Sequence, residues 1–440
     1  MVQVRQSIQA TSAGDIDLER WLEQLPLALS EEDAATLLKA CQAARNAMRT
    51  PGHDQWDWAH KQNCFLAGLD ITIILAELQV GLESLLAGLL YRSVREGRLS
   101  LDSVETAFGA EVAKLITGVS RMAAIGDLSV TSNDPVLGQA HGQKDNIRKM
   151  LIAMVDDVRV ALIKLAERTC AIRAVKDDEQ RRQRVAQEVF DVYAPLAHRL
   201  GIGHLKWELE DLSFRYIYAD AYRKIARLLD GKRLERDLFI GRVKDELTRS
   251  LSGTGFEFEI AGRAKHIYSI WRKMQRKGIG FSQVYDIRAV RILVPEIKDC
   301  YATLGLVHGQ WRNIPNEFDD YIANPKENGY RSLHTAVIGP EGKVLEVQIR
   351  TKQMHEEAEL GVCAHWRYKG SDDESGLAST YEEKIAWLRQ VLDWHEETED
   401  VQGVVEQFSF DIAQDRVYVF TPRGDVVNLA QGATPLDFAY

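Results

Sequence analysis

The sequence predicts a multidomain protein with an all-α first part, an α+β second domain and a short β-containing end. Residues 16 to about 250 are rich in Ala and Leu, with apolar residues at helical spacing, as in NIRKMLIAMVDDVRVALIKLAERTCAIRAV. From GFEFEIAGR onward, short strand-like runs alternate with helical stretches, which is typical of a sheet covered by helices. Near the end, two strand-like runs flank a Pro-Arg-Gly-Asp turn.

Composition narrows the class of protein. The 440 residues are 45% hydrophobic and 27% charged, as in soluble globular proteins of two to three domains. No apolar run reaches the roughly 18 residues that cross a bilayer, and the N-terminus lacks the apolar centre of a signal peptide. The five cysteines are scattered without a CxxC pair, which suits a reducing compartment and argues against a zinc site. We therefore expect a cytoplasmic protein without a membrane segment, and its net charge of −10 argues against generic nucleic-acid coating.

Changes of texture along the chain predict the domain boundaries. A helical domain occupies 1–200 and a helical connector 201–250, because Pro195 and RLGIGHLKWELEDLSF mark a change of unit. The α+β domain occupies 251–370, a linker and helix 371–405, and the β-containing end 406–440. Within the α+β domain we predict strands at 256–260, 286–294, 332–338 and 344–350, and helices at about 264–277, 297–312 and 352–368.

The segment GRAKHIYSIWRKMQRK is basic on one predicted face. Lys265, Ser269 and Lys273 follow one another at helical spacing, and Arg263 lies just upstream. An apolar stripe occupies the opposite face at Ile267, Ile270, Trp271 and Met274. A solvated basic face and a polyphosphate clamp both explain this pattern, since Lys and Arg neutralise phosphate oxygens.

Two predicted strands carry carboxylates where a metal could bind. Asp286 begins an otherwise apolar strand, and Glu346 shares one face of LEVQIR with Gln348 and Arg350. Two carboxylates from two strands suit Mg²⁺, which prefers oxygen ligands and shares them with substrate phosphates. For LEVQIR alone, a solvent-facing strand face is the alternative.

The stretch EFDDYIANPKENGYRSLHTAV adds a further wall. Asn328-Gly329 is a tight-turn signal ahead of a strand, and Tyr330 offers a ring on which a base can stack. Lys326 and His334 add hydrogen-bond donors. A hairpin with decorated edges is the alternative interpretation of any one of these residues.

Together, GRAKHIYSIWRKM, YDIRAVRILV, NPKENGYRSLHTAV, LEVQIRT and MHEEAELGVCAHWRYK resemble the synthetase domain of the long RelA/SpoT homologues, which make the alarmone (p)ppGpp. The resemblance implies an α+β nucleotidyltransferase-like domain that moves the β,γ-pyrophosphate of ATP to the 3′-hydroxyl of GDP or GTP. It also implies that the end of the chain starts a TGS domain. In the family, a further C-terminal half contacts the ribosome and uncharged tRNA.

The family's functional positions map onto the chain one by one. Those that bind ATP phosphates match Arg263, Lys265, Ser269 and Lys273. Asp286 matches the Mg²⁺ ligand, and Glu346 matches a second carboxylate that binds metal and activates the 3′-hydroxyl. Tyr330 matches the guanine-stacking ring. The other GDP or GTP contacts match Lys326, Asn328, His334, Gln348 and Arg350.

The acidic cluster distinguishes two branches of the family. Bifunctional members have Arg-x-Lys-Asp, whereas synthesis-only members of the RelA type have Glu-x-Asp-Asp; this chain has Glu317, Asp319 and Asp320. The inversion of charge favours, as a hypothesis, stronger Mg²⁺ dependence and GDP as the preferred acceptor.

The helical first part resembles the family's HD-type hydrolase, which holds Mn²⁺ with His and Asp ligands. This copy departs from the pattern at the ligand positions: Tyr91-Arg92 replace a His-Asp pair, and Arg95-Glu96 replace a Glu-Asp pair. Other departures are Ala67-Gly68 for a His-Pro, Glu167 for an Asp and Ala171 for an Asn. Arginines repel a cation and Tyr is a poor Mn²⁺ ligand, so we predict a pseudo-hydrolase that regulates the synthetase.

Two other functions compete with a pyrophosphokinase. A bifunctional synthetase and hydrolase is disfavoured by the missing ligands. A catalytically silent ribosome-associated scaffold would use the basic helix to bind RNA, but it leaves the carboxylates and Tyr330 without a role. An oligomer is possible.

Overall fold

The computed structural model consists of two compact units, Met1–Asp373 and Glu374–Tyr440. The structure describes residues 16–48, 63–128, 157–230, 233–263, 265–278, 281, 288–326, 328–364, 416–420 and 426–430. None of the helices in these ranges is both long enough and apolar enough to cross a membrane.

The first part of the chain is built from helices. They are α1 (Leu18–Glu23), α2 (Glu31–Ala47), α3 (Cys64–Glu77), α4 (Leu82–Arg95), α5 (Leu101–Phe108), α6 (Ala110–Leu128), α7 (Val158–Ala174), α8 (Glu179–Glu188) and α9 (Ala194–Arg199). Side-chain caps begin several of them: Ser30 accepts a hydrogen bond from the Asp33 N–H, and Asp157 from the Arg159 N–H. Pro195 lies in the first turn of α9, where a missing N–H is tolerated.

The helices α3 and α4 pack unusually closely. Gln79, in the left-handed region at φ 56°, turns the chain between them. A Cβ atom on Gly68 would lie 2.3 Å from the Leu89 carbonyl oxygen, so only glycine permits this approach. Most residues of α3 and α4 are buried.

Three connector helices lead to the second domain: α10 (Gly203–Ile217), α11 (Ala219–Asp230) and α12 (Arg233–Leu251). Among its described residues the second domain has five strands, β1 (Glu259–Arg263), β2 (Ala289–Val294), β3 (Arg312–Asp320), β4 (Leu333–Ile338) and β5 (Val344–Thr351). Its helices are α13 (Ile267–Lys277), α14 (Ile297–Gln310) and α15 (Lys352–Leu360).

The strands form a mixed sheet in the order β1-β2-β5-β4-β3. β2 and β5 are parallel, and the other neighbouring pairs are antiparallel. One face of the sheet packs on α12 and α14 to form a core of Phe239, Val243, Val290, Ile292, Val307, Val347 and Ile349. The opposite face is therefore the one that can carry polar groups.

The first and second domains meet along the end of α9 and the end of α15. The Val362 N–H donates to the Leu200 carbonyl at 3.0 Å, and nearby the ring of His204, in the connector helix α10, contacts the Glu359 carbonyl at 2.9 Å. Gly361 adopts φ 56°, and a Cβ there would collide with the Leu200 carbonyl. This join places the first domain beside the polar face of the sheet.

The multidomain α, then α+β, fold class is confirmed, with corrections to its elements. The strand predicted at 256–260 lies at Glu259–Arg263, and the helix predicted from 264 begins at Ile267. β3 was not predicted, because Pro315 and its polar residues weaken the strand signal. Such residues are tolerated on an edge strand, and the β3–β4 pairing is irregular between Asn313 and Phe318.

The second unit contains the two strands expected around the Pro-Arg-Gly-Asp turn. They are β6 (Arg416–Phe420) and β7 (Val426–Ala430), and they pair antiparallel. The linker and helix predicted at 371–405 lie outside the described residues.

Candidate active site

The polar face of the sheet gathers the predicted site residues in rows that cross the strands. In one row, Arg263 of β1 lies opposite Ala289, and Ala289 lies opposite Glu346 of β5. The next row runs through Arg291, Gln348, His334 and Asp319 on β2, β5, β4 and β3. Side chains opposite one another across strands share a face, so residues from all five strands of this sheet meet there.

Glu346 lies at the centre of this face. Its Oε1 accepts a hydrogen bond from Gln348 Nε2 at 2.9 Å. The same oxygen is 3.7 Å from Arg263 Nη1 and 3.7 Å from His334 Nδ1. The Glu346 side chain is 16% exposed, so the carboxylate is held in place yet reachable by a ligand.

The predicted guanine-stacking ring belongs to the same cluster. The Tyr330 hydroxyl and His334 Nε2 are 2.8 Å apart. Lys326 Nζ lies 5.8 Å from the Tyr330 ring centroid and 4.3 Å from that of Tyr321. The Arg350 guanidinium carbon lies 5.9 Å from the Tyr330 ring centroid. Lysine, tyrosine and histidine thus form one wall beside Glu346.

The backbone of the predicted turn presents this wall. Gly329 has φ 74° and donates its N–H to the Lys326 carbonyl, while Asn328 Oδ1 accepts from the Tyr330 N–H at 3.3 Å. The Asn328 amide also lies 3.4 Å from His198 Nδ1, at the end of α9. Asn328 therefore contacts the first domain and helps to fix the turn, in addition to its predicted acceptor role.

Burial and neighbouring cations keep His334 neutral. Loss of solvent lowers its pKa to about 3, assisted by the positive charges of Arg263, Lys326, Arg350 and Lys265. A neutral imidazole has one donor and one acceptor nitrogen, so His334 can bridge the Tyr330 hydroxyl and the region of Glu346. It contributes hydrogen bonding rather than charge.

Arg350 is buried beneath the wall, with 1% of its side chain exposed. Its Nη2 lies 2.5 Å from His355 Nδ1 and 3.3 Å from Glu359 Oε1 on α15. Burial lowers the Arg350 pKa. In this geometry Arg350 supports the Tyr330 side of the face and is tied to α15.

The basic segment differs from its prediction in one respect. Ser269 and Lys273 lie on α13 one turn apart, but Lys265 precedes that helix and lies between the end of β1 and the first residue of α13. Ile267 and Ile270 are buried and Trp271 and Met274 are half-buried, which confirms the apolar stripe. The four predicted donor-side residues therefore come from the end of β1, the following turn and the α13 face.

The two predicted metal ligands have different outcomes. Asp286 lies outside the described residues, so its placement stays a prediction. Glu346 offers carboxylate oxygens at a site reached by solvent, which fits a Mg²⁺ ion that takes its remaining oxygens from phosphates and water. Within the described ranges, no group of three or more His, Cys, Asp or Glu side chains could hold a metal by itself.

The three residues of the acidic cluster lie in different surroundings. Asp319 pairs with His334 across the β3–β4 ladder, which places it on the site face. Asp320 instead caps the following turn: its Oδ1 accepts from the Ile322 and Ala323 N–H groups at 3.0 and 2.8 Å. Glu317 is exposed on β3, the edge strand.

Arg291 is a site-face residue to which the sequence interpretation gave no role. It lies opposite Gln348, and its Nη1 is 3.6 Å from Glu359 Oε1. Burial, with a contribution from Arg350, lowers its pKa to about 10. A charged residue inside the apolar run of YDIRAVRILV was the available signal.

In the first domain, a buried ion cluster surrounds Glu167. Its carboxylate lies 2.5 Å from Lys164 Nζ, 3.4 Å from Arg95 Nη1 and 3.9 Å from Arg168 Nε. Arg95 also donates to the Tyr91 hydroxyl at 3.2 Å. Lys164, Arg95 and Arg168 thus place positive charge beside the Glu167 carboxylate.

The other residues that depart from the hydrolase pattern form ion pairs or are buried in the helical core. Arg92 Nη2 binds Glu96 Oε1 at 2.8 Å, and Arg98 Nε binds Glu96 Oε2 at 3.1 Å. Ala67 and Ala171 are buried apolar residues, and Gly68 has no space for a side chain.

Comparison with known proteins assigns domains to these parts. Residues 262–373 match the region found in RelA / SpoT proteins, residues 40–203 match the HD domain, and residues 417–440 match the TGS domain. A GTP pyrophosphokinase of Photobacterium angustum is 51% identical over 375 residues, which is 85% of this chain and 50% of that protein. A GTP pyrophosphokinase of Escherichia coli K12 is 46% identical over 446 residues, which is 100% of this chain and 58% of that protein.

The chain thus spans about half the length of these relatives. Among solved structures, small alarmone synthetase 1 of Bacillus subtilis is 22% identical and covers 42% of this chain and 99% of its own, with a TM-score of 0.26.

Proposed function

We propose that this chain, which belongs to the RelA/SpoT family, is a GTP pyrophosphokinase that makes (p)ppGpp from ATP and GDP or GTP. The observation that carries the proposal is the Glu346 carboxylate, held between Arg263 on one side and the His334–Tyr330 wall on the other. This arrangement offers a cationic side for a polyphosphate and an aromatic side for a base. Glu346 lies between them, where a hydroxyl and a phosphorus atom would meet.

In the proposed reaction, the acceptor 3′-oxygen forms a bond to the β-phosphorus of ATP. The bond from that phosphorus to the oxygen bridging the α-phosphate breaks, and AMP leaves. The Glu346 carboxylate receives the proton of the 3′-hydroxyl. Mg²⁺, when bound by Glu346 and Asp286, would supply positive charge to the phosphates.

The side chains of this chain do the binding and the orienting. Arg263, Lys265, Ser269 and Lys273 would bind the ATP phosphates, because transfer of a polyanion depends mostly on positioning and charge neutralisation. Gln348 holds the carboxylate of Glu346 through its amide N–H. This hydrogen bond is made to Oε1, so Oε2 of Glu346 can bind the metal or receive the proton.

On the acceptor side, the Tyr330 ring would stack on guanine while Lys326 meets the phosphates. His334 and Asn328 would supply hydrogen bonds, and Arg350 would support the ring from below. Asp319 would act from the site face, whereas Asp320 shapes the turn that carries Lys326. GDP is the preferred acceptor in this proposal.

For the first domain we propose a pseudo-hydrolase that regulates the synthetase. Its support is the Glu167 cluster, in which Lys164 and Arg95 lie at the carboxylate where the family holds Mn²⁺. Ribosome and uncharged-tRNA contacts would come from the rest of the full-length protein, and the matched TGS residues favour such a partner.

The decisive assay incubates the chain with Mg²⁺, ATP and GDP and resolves the nucleotides by anion exchange. We expect AMP and a guanosine tetraphosphate in equal amounts, and a loss of both of at least about a hundredfold in Glu346→Gln. The matched control is Glu341→Gln, the same change at an exposed ion pair with Lys343, which should leave turnover unchanged. Retained turnover in Glu346→Gln would remove that residue from the mechanism.

The competing function is a silent RNA-binding scaffold. It predicts no AMP from the parent, together with an RNA affinity that falls steeply with salt and survives Asp286→Ala. An active parent with little RNA affinity excludes it.

A further inference from the structure

The helix α13 is capped by a residue of another helix. Its own N-cap, His266, makes no side-chain cap hydrogen bond. Instead, Asp211 of α10 accepts from the Tyr268 N–H at 2.8 Å and from the Ile267 N–H at 3.4 Å. Asp211 is 4% exposed. A buried carboxylate therefore satisfies the first free N–H groups of α13 and complements the positive end of its dipole.

Trp207, one helical turn before Asp211, contacts the residues that connect β1 to α13. Its ring stacks on His266 at a centroid distance of 5.0 Å and 19° between planes. The Arg263 guanidinium carbon lies 5.7 Å from the Trp207 ring centroid. His266 Nδ1 lies 3.6 Å from Asp211 Oδ2, which closes the contact. Trp207 and Asp211 thus contact the end of β1 and the start of α13 from one face of α10.

These contacts surround the segment that carries the donor-side residues. Arg263 ends β1, Lys265 lies in the turn, and Ser269 and Lys273 lie on α13. Because the carboxylate of Asp211 occupies the α13 N-terminus, a phosphate cannot bind end-on there without meeting a negative charge. The phosphates are directed to the side of the helix and to Arg263.

We propose that Asp211 and Trp207 are positioning residues for the donor nucleotide: they fix the β1–α13 segment so that Arg263 and the α13 face bind the ATP phosphates together. The proposal rests on the pyrophosphokinase function. It adds that the donor site is incomplete without a helix outside the matched RelA/SpoT region, since α10 precedes residue 262 by more than forty positions.

The same helix supplies a matched control. Glu208, next to Trp207, points to the first domain and forms a two-point ion pair with Arg173, with distances of 2.6 and 2.7 Å. Glu208 is also buried. Substituting it disturbs α10 to a similar degree, because it breaks a buried acid's hydrogen bonds, but it leaves the contacts to α13 in place.

The test measures donor binding and turnover separately in the full chain. Binding uses an ATP analogue with a methylene bridge between the α- and β-phosphates, measured by calorimetry with Mg²⁺. Turnover gives KM for ATP and for GDP. We expect Asp211→Ala to weaken analogue binding and raise the ATP KM about five- to tenfold, the factor that corresponds to a lost helix cap, with the GDP KM unchanged.

Further variants separate positioning from folding. Asp211→Asn keeps a cap acceptor and should recover most of the donor affinity. Trp207→Leu should weaken analogue binding in the same direction as Asp211→Ala, and Trp207→Phe should restore part of it. Glu208→Gln should lower the melting temperature without changing the ATP KM.

Equal analogue affinity in Asp211→Ala, Trp207→Leu and the parent would overturn the proposal, as would equal rises in both KM values. A donor-specific loss in Glu208→Gln would overturn it too, since it would reduce the effect to general damage to α10. A parent that neither binds the analogue nor forms AMP would refute the pyrophosphokinase function itself. That result differs from a failure confined to the α10 variants.

Discussion

Replacing Glu167 by glutamine should destabilise the first domain far more than replacing its closest cation. Three cations lie within 4 Å of this carboxylate, and the side chains of Glu167, Lys164, Arg95 and Arg168 are between 0% and 8% exposed. Burial raises the pKa of Glu167, but the cations outweigh that effect and lower the pKa to about 2. The carboxylate is therefore charged at neutral pH. Its removal leaves buried cations without their shared anion, at a cost of about 3–5 kcal/mol.

Lys164→Met should behave differently. Burial, reinforced by the positive charge of Arg168, lowers the Lys164 pKa from 10.5 to about 7. Between these two pH values the unfolded chain binds a proton that the folded chain releases. The free-energy cost of burying the charged lysine is therefore full below pH 7 and declines as the pH rises. Methionine removes that penalty and keeps the shape, and Arg95 and Arg168 still neutralise the Glu167 carboxylate, so the loss in the free energy of unfolding should not exceed about 1.5 kcal/mol.

Differential scanning calorimetry at pH 7 measures the contrast. For a domain of about 200 residues, 1 kcal/mol corresponds to about 2–4 °C, so Glu167→Gln should lower the melting temperature by about 6–20 °C and Lys164→Met by only a few degrees. Added Mn²⁺ should leave the parent's transition unchanged, because cations of the protein already surround the carboxylate. Equal shifts in the two variants, or stabilisation of the parent by Mn²⁺, would refute the reasoning.

Three further outcomes are expected. Tyr330→Ala should raise the KM for the acceptor by about tenfold through lost stacking and leave the KM for ATP unchanged; equal effects on both nucleotides would contradict a stacking role. Glu317→Arg combined with Asp319→Lys should weaken the Mg²⁺ dependence and the GDP preference, and unchanged metal and acceptor profiles would disprove the charge-inversion hypothesis. Burial and nearby cations lower the pKa of His198 from 6.5 to about 4. Between these pH values the unfolded chain binds a proton at His198 and the folded protein does not, so the stability of the fold should decrease as the pH drops through this interval. His198→Gln should flatten that part of a plot of melting temperature against pH; a plot that follows the parent would show that His198 is not responsible.

Local periodicity predicted the parts of the site that lie along one element. The strict alternation of LEVQIR predicted that Glu346, Gln348 and Arg350 share a face, and the register of β5 places them so. It did not show that Arg350 is buried against His355 and Glu359, because that depends on how α15 folds back. The same limit applies to Asp319 and Asp320, adjacent acids whose separation into site face and turn follows from where β3 ends.

Contacts between distant segments left no signal in the sequence. Asp211 is 56 residues before Ile267, and its role as a cap depends on the packing of α10 against α13. The Glu167 cluster joins α4 to α7 across 72 residues of chain between Arg95 and Glu167. Substituted ligand positions predicted that a metal is disfavoured there, but not that the cations converge on one carboxylate. Asp286 stays a prediction, since it lies outside the described residues.

The neutral state of His334 connects the two halves of the proposed site. A histidine with a pKa of about 3 carries no charge at neutral pH, so its ring has one N–H to donate and one nitrogen to accept. A phenol donates readily to an unprotonated imidazole nitrogen, and Nε2 lies 2.8 Å from the Tyr330 hydroxyl. The N–H then resides on Nδ1, which faces Glu346 Oε1 at 3.7 Å. The Tyr330 hydroxyl, the His334 imidazole and the Glu346 carboxylate therefore follow one another across the site face, so that His334 links the aromatic side of the proposed site to its carboxylate.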